Sequence, residues 1–223
     1  QTQIILAVVG SVVMLVVGLT GSIGMGKSAA AAHFRARGVP VCDADAEVHR
    51  LYDGEAVPAV AKAFPSAVRG GKVDRAALAK EVAGSAAKLK RLEGIVHPMV
   101  VKAEIDFLRA QEKLGAALAV LEIPLLFETD AHSRVDVTVV VSAPEEVQRA
   151  RVLARPGMTK EKLEALLKRQ LSDEEKRARA DFVVDSSRSL ADMGLEIDKI
   201  LDSLTGPPRP RHGAAAEPLK TKE

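Results

Sequence analysis

The chain has 223 residues, 47% of them hydrophobic and 28% charged, which excludes a disordered or collagen-like polymer. Aromatic residues make up 3% and Trp is absent, so the core has to be aliphatic; the single cysteine, Cys42, excludes an intramolecular disulfide and a cysteine-based zinc site and points to a reducing compartment. With 32 Lys plus Arg against 30 Asp plus Glu the net charge is +2, which argues against nucleic acid as a partner.

Ile4 to Leu19 is almost wholly apolar. A membrane helix needs about 20 such residues, and Gly10, Ser11 and Gly18 interrupt this run. No Lys or Arg precedes Lys27, so the basic region of a signal peptide is missing. No stable membrane association is expected. Met14 stands just before a β-branched run, and residues 1–13 are read as an upstream extension of unclear role.

Val16 to Thr20 has the pattern of a buried parallel strand ended by glycine. Ser28 to Arg37 is an Ala-rich helix with Gly38 just past its end. Val39 to Cys42 is a second strand that runs into Asp43-Ala44-Asp45. A short helix follows over Ala46 to Tyr52, with Asp45 as its expected N-cap. Four helices are expected next: Pro58 to Phe64, Asp74 to Ala83, Ala86 to Val96 and Pro98 to Lys113. Gly70-Gly71 forms a turn among them and His97-Pro98 a junction between the last two. Ala117 to Ile123 and Val135 to Val141 are strands. Pro144 to Ala154, Thr159 to Leu171 and Asp173 to Ala180 are helices. Phe182 to Val184 is the fifth strand and Leu190 to Leu204 the closing helix. The segment 206–223 has four Pro and no core-forming pattern, and is expected to be a disordered tail.

Continuous apolar strands separated by helices imply an α/β fold, a parallel sheet covered by helices on both faces. One domain is expected over 14–205. Within it, a helical substrate subdomain spans about 56–113 and an arginine-bearing lid about 149–175.

Gly21-Ser22-Ile23-Gly24-Met25-Gly26-Lys27-Ser28 matches G-x-x-x-x-G-K-S between a predicted strand and a predicted helix. Glycines let backbone N–H groups turn toward a phosphate, and the helix N-terminus adds positive potential. Lys27 can reach the β- and γ-phosphates, and Ser28 can hold Mg²⁺ through its hydroxyl. Gly21, Gly24, Met25, Gly26, Lys27, Ser28 and Ala29 are the expected contacts of ATP. The chain contains no Asn, so it lacks the Asn-Lys-x-Asp guanine reader of a GTPase. A motor or AAA-type ATPase usually carries an apolar run ending in Asp-Glu, whereas this strand ends Val120-Leu121-Glu122-Ile123-Pro124. A small-molecule kinase remains.

Gln148, Arg149, Arg151 and Arg155 are expected on one helix, with Arg151 and Arg155 sharing a face. Two guanidinium groups so placed can clamp a transferring phosphoryl group. On spacing alone a solvated basic face explains them equally well; the phosphate loop favours the lid. Asp43 and Asp45 follow a buried strand at the edge where open α/β sheets bind ligands. A carboxylate there can take a proton from an attacking hydroxyl, or merely cap the next helix. Cys42 is expected to be a small buried residue rather than a nucleophile.

Gly18 to Ser28 resembles the opening of the dephospho-coenzyme A kinases. So do Asp43-Ala44-Asp45, Leu92 to Pro98, Pro124-Leu125-Leu126-Phe127-Glu128, the Gln148–Arg151–Arg155 helix, Gln170, Lys176 and Ala180 to Asp185. The resemblance runs in order over about 15–204. It implies a cytoplasmic kinase that uses ATP and Mg²⁺ to phosphorylate the ribose 3′-hydroxyl of dephospho-coenzyme A, the last step of coenzyme A synthesis. It further implies Asp45 as the catalytic carboxylate and Lys27, Arg151 and Arg155 as stabilisers of the transferring phosphoryl. Asp43 and His97, with Asp45, would meet the acceptor. The chain departs from the family at Ala29, often Thr, and at Glu122, often Asp. It departs again at Asp185-Ser186-Ser187-Arg188, where the family usually has Asp-Asn near the adenine. A kinase for another small-molecule or nucleotide acceptor and a non-catalytic ATP-binding module are the competing readings. A monomer or weak homo-oligomer is expected.

Overall fold

The computed structural model describes residues 14–206, so the expectations for residues 1–13 and for the tail beyond Gly206 lie outside the described residues. β1 (Leu15–Thr20) runs into α1 (Lys27–Ala36), and β2 (Val41–Asp43) into α2 (Ala44–Tyr52). A helical segment follows: α3 (Val57–Ala63), the short strands β3 (Val68–Arg69) and β4 (Lys72–Val73), α4 (Arg75–Val82) and α5 (Ala86–Lys113). The chain then returns through β5 (Leu118–Glu122), β6 (Val137–Ser142), α6 (Glu145–Leu153), α7 (Lys160–Leu167), α8 (Asp173–Arg179), β7 (Phe182–Asp185) and α9 (Leu190–Thr205).

The five long strands form one sheet in the order β2-β5-β1-β6-β7, with every pairing parallel. Parallel strands joined by crossovers need helices on both faces, and side chains alternate between those faces. Val17 and Leu19 of β1 and Leu118 and Val120 of β5 enter the core under α1 and α9, with Phe34, Ile197 and Leu201. Leu121 of β5 enters the opposite core, where Leu51, Val60, Phe64, Leu92 and Val96 pack from α2, α3 and α5. Both cores are aliphatic with a few Phe, as the composition requires.

Two expectations need correction, and one element was not expected. Residues 86–113 form one helix, not two, with Pro98 inside it. Leu92, Val96, Val100 and Glu104 are buried at intervals of four, so the buried stripe passes the proline without a break. Pro98 and Gly94, whose carbonyl loses its usual donor, both lie on the exposed side, where that carbonyl is accessible to solvent. The Gly70-Gly71 turn closes a two-stranded antiparallel hairpin, Val68↔Val73 and Arg69↔Lys72, too short to show alternation in sequence. Finally, α2 starts at Ala44 and its N-cap is Asp43, not Asp45. Asp43 Oδ1 accepts the N–H groups of Asp45 and Ala46 at 2.9 and 3.1 Å. The extended backbone that a cap requires ends at Asp43, because that residue still pairs with Glu122 in the sheet.

Among the described residues, no helix is long and apolar enough to cross a membrane.

Candidate active site

The C-terminal ends of β1, β2 and β5 meet the segment Gly21–Gly26, which connects β1 to α1. Gly24 has φ +81, and a Cβ there would stand 2.4 Å from Val152 Cγ2; the loop can pack under α6 only as glycine. Gly26 is the N-cap of α1 with φ +91. No side chain caps α1 and no acid stands in its first turn, so its opening N–H groups are left to an anion.

A cavity of about 370 Å³ lies against this loop. Gly21 to Gly24, Gly26 to Ala29, Asp45, Pro124, Arg155 and Gln170 line it. Ser28 and Asp45 are exposed. Asp43 points elsewhere: its carboxylate is committed to the start of α2, which leaves Asp45 as the member of the pair in the cavity. Met25, expected beside the phosphates, is buried, and its sulfur accepts the N–H of Ala143 at 3.2 Å. His97 stands exposed on α5 and is not among the residues lining this cavity.

Lys27 Nζ lies 2.7 Å from Glu122 Oε1. Glu122 is 2% exposed, and its Oε2 has no hydrogen-bond partner, with Arg35 Nη2 at 3.8 Å. The Lys27 ammonium is thereby held at the mouth of the cavity by a buried acid. From sequence Glu122 reads as the acid in a strand that lacks a terminal Asp-Glu and as a departure from the family, not as a partner for Lys27. The available signal was an acid inside an apolar strand, which burial forbids without a partner.

The arginines also differ from expectation. α6 ends at Leu153, so Arg155 lies beyond the helix and the two guanidinium groups do not share a helix face. Arg155 lines the cavity beside the loop. Arg151 is fixed by Ser186: Nη1 donates to Ser186 Oγ at 3.0 Å and Nη2 to Ser186 O at 2.6 Å. Ser186 Oγ in turn donates to Met25 O at 2.6 Å. Ser186 stands where the resemblance led to Asn, and it ties the loop after β7 to the phosphate loop. A second cavity of about 340 Å³ opens there, between Gly24, Gly26, Arg151, Ser186 and Leu190. Asp185 accepts the N–H of Ser187 at 2.8 Å, and the Ser187 side chain first, then this backbone bond, hold its carboxyl below the usual carboxylate range.

On the other side of the cavity, Pro124 O accepts from Thr20 Oγ1 at 3.1 Å and from Lys176 Nζ at 3.2 Å. Lys176 is wholly buried and pairs with Glu128 at 3.0 Å, while Glu128 also accepts the N–H of Leu171 at 2.8 Å. These contacts give the Pro124–Glu128 segment and Lys176 a physical role: they seat the loop after β5 at the cavity's edge. Cys42 is buried, and burial first, then Glu47, pushes its thiol up to about 12, so it is no nucleophile.

The donor set suits a cation that arrives with a phosphate. Among the described residues no group of three or more His, Cys, Asp or Glu can hold a metal alone. The Ser28 hydroxyl in the cavity can supply one ligand, with phosphate and water supplying the others.

A family description for dephospho-CoA kinase matches residues 15–192. The dephospho-CoA kinase of Rhodopseudomonas palustris is 56% identical over 198 residues, which is 89% of this chain and 100% of that protein. That of Brucella melitensis is 55% identical over 195 residues, 87% of this chain and 98% of the relative. Among solved structures, a Thermus thermophilus protein is 40% identical with a TM-score of 0.76, covering 86% of this chain and 99% of that one. A dephospho-CoA kinase from Campylobacter jejuni is 26% identical with a TM-score of 0.60, covering 85% and 96%.

Proposed function

This chain belongs to the dephospho-CoA kinase family, and from that premise we propose that it transfers the γ-phosphoryl group of ATP to the ribose 3′-hydroxyl of dephospho-coenzyme A. The observation that carries the proposal is the shared cavity of Lys27, Ser28, Asp45 and Arg155 at the open N-terminus of α1. In the transfer the bond from the 3′-oxygen to the γ-phosphorus forms and the bond from that phosphorus to the β-bridging oxygen breaks. The hydroxyl proton passes to Asp45 and then to water, and ADP leaves.

The N–H groups of the Gly24–Ser28 backbone and of α1 bind the phosphates. Lys27 shifts from Glu122 toward the β- and γ-phosphate oxygens, and Arg35 stays near Glu122 as the remaining counter-charge. Arg155 neutralises charge on the transferring group, and Arg151, braced by Ser186, borders the second cavity, where the nucleoside of ATP fits. Asp45 orients the 3′-hydroxyl and accepts its proton. A magnesium ion bound with ATP would neutralise phosphate charge, and Ser28 is the residue that would hold it through its hydroxyl. The segment α3–α5 is the expected seat of the acceptor, with His97 on its exposed side, and residues 149–175 form the lid. A reducing cytoplasmic setting and a monomer or weak homo-oligomer complete the reading.

Coupled measurement of ADP release with dephospho-coenzyme A, beside a panel of other hydroxyl acceptors, tests it. Turnover specific to dephospho-coenzyme A supports the proposal. ATP binding with no turnover on any acceptor would reduce the chain to a nucleotide-binding module.

A further inference from the structure

The apex of the phosphate loop is gripped by two glutamines, Gln148 from α6 and Gln170 from the wall of the cavity. Gln148 Nε2, on α6, donates to Ile23 O at 2.8 Å. Gln170 Oε1, between α7 and α8, accepts the N–H of Ile23 at 3.1 Å. The donor and acceptor patterns fix which end of each amide faces the loop. Gln148 is 4% exposed, so its grip is shielded from water. A residue in a loop thus has both backbone polar groups bound by side chains 125 and 147 positions away.

The peptide unit is planar and trans, so a carbonyl and the N–H of the same unit point in opposite directions. Holding Ile23 O against Gln148 therefore turns the N–H of Gly24 away from α6. Holding the Ile23 N–H against Gln170 turns the carbonyl of Ser22 the other way, where it accepts the N–H of Met25 at 3.1 Å and closes the turn. Gly24 cannot relax toward α6, because Val152 and the Gln148 carbonyl fill the space beside its Cα.

We infer that Gln148 and Gln170 are positioning residues that act through the two peptide units flanking Ile23, presetting the Gly24 N–H as a phosphate donor before ATP arrives. Neither glutamine has to touch substrate for this. The inference rests on the loop being the ATP site, and it adds that the segments on either side of residues 149–169 set the loop's donor geometry.

A double-mutant cycle tests it, with wild-type turnover on ATP and dephospho-coenzyme A measured first; absence of that turnover speaks against the proposed function and moves the cycle to calorimetric ATP titration. Gln148→Leu and Gln170→Leu are each expected to lower kcat/KM for ATP about 10- to 100-fold, somewhat less than loss of one oriented donor in a transition state. KM for dephospho-coenzyme A should stay within about twofold, a split that general loosening of the fold would not produce. Because both side chains act on one residue, the double variant should lose no more than about threefold beyond the worse single variant. Losses that multiply, or KM values that rise equally for both substrates, overturn the inference. If the Leu variants do not fold, Gln148→Asn and Gln170→Asn, each one methylene too short to reach Ile23, carry the same cycle with the same two deciding outcomes.

Discussion

Lys27–Glu122, beside the phosphate loop, and Lys102–Asp106, on α5, are both ion pairs at 2.7 Å. The first pairs side chains that are 13% and 2% exposed, the second side chains that are 66% and 51% exposed. The contrast extends to their regions. Around the loop, Lys176–Glu128 and the Arg151–Ser186 bonds are also withdrawn from water. In the helical segment, Lys72–Asp53 and Arg69–Asp74 lie on the surface. Distance alone does not decide what a pair contributes: desolvation makes the loop's pairs costly to break, whereas water can replace the partners in the helical segment. The loop half is thus preset and intolerant. The helical half is held by its buried stripe, in which Glu104 accepts from Arg134 Nη1 at 2.6 Å, and the other pairs named for it stay in water.

The strongest test of that contrast is Lys27→Ala. Turnover should fall by at least about 10²- to 10³-fold, because the transferring phosphoryl loses a fixed positive charge. Stability should fall too, by up to about 3–5 kcal/mol, since Glu122 is left buried and unpaired except for Arg35. The double variant Lys27→Met with Glu122→Gln should regain the melting temperature without regaining turnover. A single variant that keeps more than a tenth of wild-type activity would remove Lys27 from its role.

Asp45→Asn should lower kcat about 10²- to 10⁴-fold at an unchanged melting temperature. Asp43→Ala should mainly cost stability, about 1 kcal/mol, as a lost N-cap does. Steady-state kinetics and thermal melts on both variants separate the two aspartates; the larger kinetic defect at position 43 would transfer the role to Asp43.

Lys176→Ala should destabilise by about 3–5 kcal/mol, because it abandons the Glu128 carboxylate in the interior. Lys102→Ala should leave the melting temperature where it is. Equal shifts in paired thermal melts would erase the distinction between the two regions.

The smallest effects have opposite signs. Gly24→Ala forces a Cβ onto Val152 at a left-handed φ and should cost about 1–3 kcal/mol. Gly94→Ala, in the exposed interior of α5 with open space around it, should stabilise by roughly 0.5–1 kcal/mol. Chemical denaturation of the two variants reads both signs; a destabilised Gly94→Ala would mean that α5 needs its flexibility beside Pro98.

What could be read in advance followed from how local each signal is. The phosphate loop is contiguous, and its flanking strand and helix have unlike periodicities, so Gly21 to Ser28 declared both its fold context and its ligand class. Asp43 and Asp45 were recognisable as a pair but not assignable. The cap goes to whichever residue ends the extended backbone, and that depends on β2 pairing with β5. Pro98 suggested a helix break because the local rule was applied before the longer one. The spacing of Leu92, Val96, Val100 and Glu104 already carried the continuous stripe across it. Arg155 lies two residues past the end of α6, because the helix is capped at Ala154 and Pro156-Gly157 prevents its continuation. Glu122 and the two glutamines act across 95 to 147 residues, and only the folded sheet brings such positions together.

The state of Cys42 bears on a hazard of the substrate itself. Dephospho-coenzyme A and its product both end in a free thiol, and thiols exchange into protein disulfides through the thiolate form. The chain's one sulfhydryl lies immediately before the Asp43 cap and three residues before the proposed catalytic carboxylate, in the strand that delivers Asp45. Exposed and ionised, it would invite capture as a mixed disulfide at the edge of the active site. Burial and a proton held up to about pH 12 remove the attacking species. Intact mass measured after incubation with the symmetric disulfide of coenzyme A should therefore show no adduct on the folded protein and one on the denatured chain, so that the enzyme can work in a pool of its own reactive product as that pool oxidises.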